Sequence, residues 1–341
     1  MVKVMQMSTE DQTDRGLTHG RQADGSINEQ GPNSEQHRLN ERRPGRPRKD
    51  TKDICIAVAA HKPYRMPTDP MYMPMQVGKA LHPDVNLGPQ FTPDNSSDNI
   101  SDQNAYFSEL TALYWMWKNC HNKYKGLAHY RRHFASKSRR GIGILHHERQ
   151  QWQHRQHRQL SSTSASGPSS DRFSRIVGRQ EVSRLLDTTD IILPKKRHYY
   201  IETIRSHYSH TMYVEQLDET RAILVEKYPT FVPAFDQVMN ARSAHLFNMF
   251  IMRADKFDEY CAFLFPILFE LESRLDPAQY DGFHARYVGR VSERLLDVWL
   301  KTHRYSYAEL PVMSPEPVNW WKKGTAFLTA KFTGKKYGSS F

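Results

Sequence analysis

The sequence predicts an α/β fold in which helices flank a mainly parallel β-sheet. The first observation is the continuous apolar run ICIAVAA at Ile54–Ala60, which is typical of a central parallel strand buried on both faces. The second is the alternation, along the rest of the chain, between short apolar runs and segments with apolar residues at three- and four-residue steps. This alternation predicts strands at 124–128, 190–193 and 246–253, and helices at 102–117, 182–186, 214–228, 255–275 and 285–302.

Composition divides the chain into a folded domain and polar additions. Hydrophobic residues make up 38% of the 341 residues, yet the mean hydropathy of −0.74 is low for a compact enzyme. We therefore expect a domain at 51–312, a disordered segment at 1–50 and a basic, then serine-rich insertion at 136–172. Of the net charge of +11, +7 lies between residues 136 and 180, so the basic character says little about the core.

Cysteine usage and the length of the apolar runs bear on the cellular compartment. Cys55, Cys120 and Cys261 lie in apolar contexts without a C-x-x-C pair, so we expect reduced core thiols and no disulfide framework. The N-terminal residues lack the apolar region of a secretory signal, and the longest apolar run is far shorter than the roughly 20 residues of a membrane span. We therefore expect a soluble, cytoplasmic protein.

Residues 94–134 carry the strongest local signal for a ligand site. Polar, turn-forming residues precede a helix-period run, and a short strand then ends directly at the sequence HYRRHF. Ligands bind at strand ends in open α/β sheets, and the guanidinium groups of Arg131 and Arg132 suit the oxygen atoms of a phosphate. The alternative is a solvated strand end at the surface, and the residues alone leave both interpretations open.

Seven segments between His61 and Leu300 stand out as motifs. They are HKPYRMPTDPMYMPMQVG, DNSSDNISDQNAYFSELTALYWMWKN, GLAHYRRHF, DIILP, NMFIM, YCAFLFPILFEL and RYVGRVSERLLDVWL. In this order, and across about two-thirds of the chain, they resemble a bacterial family of exopolysaccharide or capsular-polysaccharide biosynthesis glycosyltransferases. That family has long been catalogued as a domain of unknown function.

The resemblance implies a GT-A-type fold that binds a nucleotide-diphosphate sugar, with residues 54–60 as its first strand. It also implies transfer of a hexosyl or galactofuranosyl residue from a uridine diphosphate sugar to a glycan or lipid-linked acceptor in polysaccharide assembly. Two alternatives are a sugar-phosphate transferase and a DNA-binding or regulatory protein that uses the AT-hook-like run at 42–49. For that run a solvated linker is favoured over contact with nucleic acid, since short basic Pro/Gly runs arise easily in polar tails.

Transfer from such a donor requires that the charge of the leaving diphosphate be neutralised. Many transferases of this type use a metal bound by an Asp-x-Asp pair, a motif that this sequence lacks. We therefore expect metal-independent transfer with Arg131 and Arg132 on the diphosphate, and a bound divalent cation is the alternative. The expected donor-binding residues at the two strand ends are His61, Lys62, His129, Tyr130, Arg131 and Arg132.

Polar residues elsewhere in the family-like motifs are candidates for sugar contacts. Asp98, Asn99 and Asn104 flank the start of the predicted helix, where they can hydrogen-bond the ribose or hexose of the donor. The alternative is that they only cap the helix. Asn248, at the start of NMFIM, is expected to contact the acceptor, because it resembles acceptor-side asparagines of related sugar transferases.

For the general base, Glu293 is the first candidate, because it lies in the family-like SERLL motif on a helix whose opposite face is apolar. The alternative for this carboxylate is a structural salt bridge with Arg290. His207 and His210 are the alternative bases, since a neutral imidazole accepts a proton near pH 7.

Two further segments carry weaker signals. The insertion holds a group of histidines, His146, His147, His154 and His157. An unstructured basic loop is favoured over a metal site for this group. In the tail at 313–341, Trp320 and Trp321 stand beside lysines, a pattern suited to peripheral contact with an anionic membrane surface. Packing of the tryptophans against the domain is the alternative.

Overall fold

A seven-stranded sheet forms the centre of the structure, a computed structural model that describes residues 52–137 and 171–316. The strands of the described residues are β1 Ile54–Ala60, β2 Tyr72–Gln76, β3 Thr92–Pro93, β4 Tyr124–His129, β5 His133–Phe134, β6 Ile191–Pro194, β7 Arg197–His198, β8 Ser243–Ala244, β9 Phe250–Arg253, β10 Ala308–Leu310 and β11 Val312–Met313. The large sheet has the order β10-β6-β9-β4-β1-β2-β3. Two small antiparallel sheets pair β11 with β5 and β7 with β8.

Neighbouring strands of the large sheet are parallel except where β9 takes part. β9 lies between β4 and β6 and is antiparallel to both. The parallel strands β1, β2 and β4 therefore end at one edge of the sheet, where an α/β fold places its ligands. The predicted α/β class with a mainly parallel sheet is confirmed.

Helices cover both faces of this sheet. The α-helices of the described residues are α1 Asn104–Phe107, α2 Leu110–Asn119, α3 Arg179–Leu185, α4 Ile204–Ser209, α5 Glu215–Lys227, α6 Val232–Asn240, α7 Ala254–Arg274 and α8 Tyr287–His303. Alternate residues of β1 face opposite sides of the sheet. Ala57 and Ala59 join a core with α2 and α5 to α8, whereas Ile56 and Val58 join a second core with α3.

Two predicted elements are interrupted by residues with a left-handed backbone. The helix predicted at 102–117 is split into α1 and α2, because Ser108 between them has a φ of 53°. The strand predicted at 246–253 begins only at Phe250, because Phe247 and Asn248 have φ values of 83° and 50°. Such φ values fit neither a helix nor a strand, and an apolar period does not reveal them.

Other described elements have no counterpart in the predictions. α6 follows a short 3₁₀ turn, Pro229–Phe231, and has a proline in its first turn, where the missing N–H costs no helical hydrogen bond. α4 and the pair β7 and β8 were not predicted either. At the far end of the described chain, β10 extends the sheet beside β6, and β11 pairs with β5.

Several predictions concern residues outside the described ranges: the segment 1–50 with its AT-hook-like run, the histidines of the insertion and the two tryptophans of the tail. The described edges of the insertion contact the domain. The backbone N–H of Lys137 donates to Glu181 over 2.8 Å, and Arg65 donates to both carboxylate oxygens of Asp171 over 3.0 and 2.6 Å. None of the described helices is both long enough and apolar enough to cross a bilayer.

Candidate active site

A cleft of about 920 Å³ opens at the carboxyl ends of β1 and β4. His61 lines it directly after β1, and His129, Arg131 and Arg132 line it at the end of β4. A second part of the lining comes from the first half of α8. Because parallel strands end at one sheet edge, residues about 70 positions apart in sequence meet here.

The turn after β4 holds two arginines at the cleft surface. Arg132 donates its backbone N–H to the carbonyl oxygen of His129 over 2.8 Å, and His129 donates back to Arg132 over 3.2 Å. The Arg131 N–H donates to Nδ1 of His129 over 3.2 Å. Tyr130, directly before the arginines in sequence, is buried, and its ring packs edge-on against His61. Tyr130 therefore supports the turn from the core, while Arg131 and Arg132 face the cleft.

The cleft is strongly cationic. Among the described residues its lining includes six arginines, Arg131, Arg132, Arg197, Arg286, Arg290 and Arg294. Two glutamates, Glu109 and Glu293, are the carboxylates of this lining. Burial, with Arg132 and Arg131 nearby, lowers the pKa of His129 to about 3, and burial also lowers the pKa of His61. These imidazoles are neutral near pH 7, so the positive charge resides on the guanidinium groups.

Glu109 is supported from behind by a hydrogen-bonded chain. Nδ2 of Asn248 donates to Oε1 of Glu109 over 2.9 Å and to the Gly289 carbonyl oxygen over 3.2 Å. The Ser292 hydroxyl donates to Oδ1 of Asn248 over 2.9 Å. Although Glu109 is partly exposed to the cleft, desolvation by the surrounding protein raises the pKa of its carboxyl, an effect that the Asn248 bond opposes.

The predicted acceptor residue Asn248 does not line the cleft. It is 3% exposed, and its side-chain amide is occupied by the contacts with Glu109, Gly289 and Ser292. The structure therefore places Asn248 behind the cleft as a support for Glu109.

Asp94 organises the polar loop in front of α1. Its Oδ2 accepts hydrogen bonds from the Gly78 N–H over 2.9 Å and from the Thr111 hydroxyl over 2.6 Å. Gly78 has a φ of 69°, and a Cβ there would lie 2.6 Å from Oδ1 of Asn104, so only glycine fits without a shift. The Asn104 amide donates to the same Thr111 hydroxyl over 3.0 Å and to the Ser108 carbonyl oxygen over 2.7 Å, and these bonds hold Asn104 at the lining of the cleft.

Asp98 and Asn99, the other two polar candidates of this loop, lie outside the cleft. The Asn99 amide donates to the Ser97 carbonyl oxygen over 2.8 Å and accepts from the Ser101 N–H over 3.1 Å. The Asn119 amide donates to the carbonyl oxygen of Asp98 over 2.8 Å. These bonds shape the turn before α1 and tie it to α2, and contact of Asp98 and Asn99 with a sugar stays a prediction.

The candidates for the general base differ in their surroundings. Glu293 lines the cleft, and its Oε2 accepts a hydrogen bond from Nη1 of Arg294 over 2.6 Å. His207 also lines the cleft and has Nδ1 3.1 Å from Oε2 of Glu202, which is 8% exposed. His210 contacts the other oxygen of Glu202 over 3.2 Å and does not line the cleft. The carboxylate of Glu202 thus joins both histidines.

The environment of His207 keeps its imidazole neutral near pH 7. The ring stacks on Tyr199 with a centroid separation of 3.9 Å. Burial lowers the pKa of His207, and the hydrogen bond with Glu202 opposes this effect without reversing it. Because an ionised carboxylate only accepts hydrogen bonds, the contact with Glu202 fixes the proton on Nδ1. Nε2 is then the nitrogen with a free lone pair.

Some of the predicted site residues line the cleft, and others do not. The predicted residues in its lining are His61, Asn104, His129, Arg131, Arg132, His207 and Glu293. The predicted residues that do not line it are Lys62, Asp98, Asn99, Tyr130, His210 and Asn248. The ammonium group of Lys62 instead lies 5.7 Å from the ring centroid of Tyr130.

Several residues of the lining are not predicted from the sequence. They are Glu109, Arg197, Tyr199, Arg286 and Arg294, with Arg290 considered only as a salt-bridge partner. The sequence did carry a signal for Arg286, Arg290 and Arg294, because they recur at four-residue steps, the spacing of one helix face. Within the described ranges, no three His, Cys, Asp or Glu side chains are grouped as a metal site would require. The expectation of metal-independent transfer is not tested by this and stays a prediction.

Comparisons with known proteins bear on the fold and the family. The model of a family described as "Domain of unknown function (DUF4422)" matches residues 55–304. A solved structure described as the apo form of WbbM, a bifunctional glycosyltransferase, matches with a TM-score of 0.63 and 26% sequence identity. That match covers 77% of this chain and 45% of the other, so this chain spans less than half the length of that protein. No curated protein matches. With its mainly parallel sheet flanked by helices, the chain has a GT-A-like α/β fold.

Proposed function

Because this chain belongs to the DUF4422 family, a domain of unknown function, and is similar in structure to a bifunctional glycosyltransferase, we propose that it is a glycosyltransferase. Its donor is a nucleotide-diphosphate sugar, and its acceptor is a glycan or a lipid-linked glycan. The observation that carries the proposal is the arginine-rich cleft at the carboxyl ends of β1 and β4. Its volume of about 920 Å³ falls within the range of small-molecule sites.

Arg131 and Arg132 are assigned to the leaving diphosphate. Each guanidinium offers a planar donor fork that matches two phosphate oxygens, and the backbone bonds of the turn hold both residues in place before substrate arrives. Burial lowers the pKa of Arg132, which nevertheless remains charged at any physiological pH. A charge already fixed in a partly desolvated cleft stabilises the negative charge that develops on the leaving group better than water does.

The contacts favour His207 over Glu293 as the general base. Glu202 orients the His207 imidazole through Nδ1, which leaves Nε2 to accept the proton of an attacking hydroxyl. The lowered pKa of His207 keeps this nitrogen unprotonated near pH 7. By contrast, a carboxylate oxygen of Glu293 is already paired with Arg294. Glu293 then holds Arg294 in place, and its negative charge stabilises the neighbouring guanidinium groups of the lining.

The finer features of the reaction follow from the resemblance and the motifs. We propose metal-independent transfer of a hexosyl or galactofuranosyl residue from a uridine diphosphate sugar, at the cytoplasmic side of polysaccharide assembly. The support for metal independence is the cationic lining together with the lack of an Asp-x-Asp motif in the sequence. The six arginines supply the positive charge for which many related enzymes use a cation.

The test is a panel of uridine and guanosine diphosphosugars incubated with the purified protein, with and without excess chelator. Arg131→Ala is the test variant. Arg221→Ala is its control, because Arg221 is paired with Asp236 at the surface. We expect release of nucleoside diphosphate that persists in chelator, falls in Arg131→Ala and is unchanged in Arg221→Ala. Release of nucleoside monophosphate would identify sugar-phosphate transfer instead. Strict dependence on added manganese would refute the metal-independent mechanism, and inertness toward every donor would refute the activity.

A further inference from the structure

Two adjacent apolar side chains project from a loop at the rim of the cleft. Tyr200 is 83% exposed and Ile201 is 70% exposed, in the connection between β7 and α4. Among the other large apolar residues that the structure describes, the most exposed is Val225 at 49%. Scattered exposed apolar residues are ordinary on protein surfaces, but two neighbours at the tip of one loop form a small contact surface.

The local backbone conformation exposes these two side chains. Tyr200 has a φ of 34°, a left-handed conformation that a tyrosine adopts only when its surroundings hold it. The N–H of Glu202 donates to the Tyr199 carbonyl oxygen over 2.9 Å and closes the turn. Nη1 of Arg242 donates to the Tyr200 carbonyl oxygen over 3.3 Å. The tip is therefore a bonded turn that points its side chains outward.

The surroundings of the tip are basic. Lys195, Arg197 and His198, which precede it, are exposed, as is Arg242 on the neighbouring segment. Residues 195–204 contain one carboxylate, that of Glu202, which is buried and bonded to two histidines. The exposed apolar pair is thus set in a surface of positive charge.

The loop also stands at the entrance to the candidate active site. Arg197 and Tyr199 line the cleft, and Tyr200 and Ile201 follow directly in sequence. A surface that engages the tip therefore lies next to the cleft.

We propose that the tip formed by residues 195–201 docks on a bilayer surface that contains anionic phospholipid. A tyrosine ring sits at the level of the headgroups, an isoleucine inserts among the upper acyl chains, and lysine and arginine side chains meet lipid phosphates. This contact holds the cleft against the membrane. If the proposed transferase function is correct, a lipid-linked acceptor reaches the cleft without leaving its leaflet.

Vesicle sedimentation of the purified full chain tests this contact independently of catalysis. The vesicles contain phosphatidylcholine alone or phosphatidylcholine with phosphatidylserine, at low and high salt. Ile201→Ser is compared with Val225→Ser, another exposed β-branched residue, which lies on α5. Lys195→Glu is compared with Lys301→Glu, which reverses an exposed charge on α8. Thermal unfolding confirms that the four variants are folded.

We expect the full chain to bind the anionic vesicles and to be released by salt. Ile201→Ser and Lys195→Glu are expected to lower the partition coefficient about tenfold and several-fold, respectively, while both control variants bind as the original chain does. Equal binding of Ile201→Ser and Val225→Ser would overturn the proposal. This is the result expected if the C-terminal tail accounts for all binding. Equal binding to neutral and anionic vesicles, or to none, would also overturn it. Donor hydrolysis measured on the same samples reports separately on the proposed activity.

Discussion

The side-chain amide of Asn248 donates a hydrogen bond to Oε1 of Glu109 over 2.9 Å, across 139 positions of the sequence. Asn248 adopts a left-handed backbone just before β9, and Glu109 directly precedes α2. The bond therefore links the antiparallel strand of the sheet to the helix beside the cleft. Two segments that look unrelated in sequence form one support for the candidate site.

Removal of this link is expected to destabilise the fold. Asn248→Ala removes the amide that donates to the Glu109 carboxyl, while the Ser292 hydroxyl keeps its bond to the Gly289 carbonyl oxygen. Unsatisfied groups of this kind lower the free energy of unfolding by about 1–3 kcal/mol. Urea unfolding measures the change, and Asn240→Ala is the control, because its amide bonds only to the Asp236 carbonyl oxygen at the surface. Equal losses in both variants would contradict the role of Asn248.

Substitution of the arginines after β4 is expected to weaken donor binding. Arg131→Ala or Arg132→Ala removes a charge-assisted contact to the diphosphate, which corresponds to about 1.5–3 kcal/mol of binding free energy. Calorimetric titration with uridine diphosphate measures the change in affinity, and thermal unfolding checks that the fold is intact. Arg221→Ala is the matched surface control. Unchanged diphosphate affinity in both cleft variants would remove these residues from the donor site.

Buried histidines are expected to make the protein less stable in mild acid. Burial lowers the pKa of His133 to about 4, below the usual value of about 6.5 in an unfolded chain. The unfolded state therefore binds the proton more tightly, and the free energy of unfolding falls as the pH decreases from about 6.5 to about 4. Urea unfolding at several pH values is compared for the original chain, His133→Gln and the exposed-site control His121→Gln. A pH dependence unaltered by His133→Gln would contradict this assignment.

The pH dependence of activity is expected to report on His207. As a base the imidazole must be neutral, so kcat falls on the acid side as it becomes protonated. Burial lowers the pKa of His207, which places this loss of activity below the usual value of about 6.5. His207→Gln is expected to remove this acid limb and most of kcat, whereas His210→Gln retains both. An acid limb that survives in His207→Gln and disappears in Glu293→Gln would restore Glu293 as the base.

The insertion is expected to be dispensable for folding. Residues 138–170 are poor in apolar residues and rich in Ser, Gln and Arg, so they contribute little to a core. Replacement of these residues by a short Gly/Ser linker keeps the contacts of Lys137 with Glu181 and of Asp171 with Arg65. The melting temperature should then change by only a few degrees at most. A large decrease would mean that the segment packs against the domain.

The strongly periodic parts of the fold could be predicted from the sequence. β1, β4, α5, α7 and α8 lie within a few residues of their predicted positions, because the strands are short apolar runs and the helices bury apolar residues at helical steps. Ser108, Phe247 and Asn248 interrupt predicted elements, since their left-handed backbones are held by tertiary contacts that no local pattern encodes. The short strands β10 and β11 depend on pairing with distant partners and carry too few residues for a periodic signal.

The candidate site could be predicted only where its residues follow strands. His61, His129, Arg131 and Arg132 were identified because a strand end fixes the position of the next side chains. The motifs predict contact of Asn248 and Tyr130 with substrate, whereas both side chains are buried in the structure. Arg197 and Glu109 reach the cleft through the packing of separate segments, and nothing in their local sequence indicates the partners they meet.

The position of β10 and β11 has a consequence for synthesis of the chain. β10 covers the outer side of β6, and 116 residues separate the end of β6 at Pro194 from the end of β10 at Leu310. At about 5–20 residues per second, a ribosome needs about 6–23 s to make this stretch. During that interval the nascent β6 has no neighbour on its outer side, and an uncovered strand edge invites pairing with other chains. Chaperone demand during translation should therefore peak late, after most of the cleft residues have already emerged.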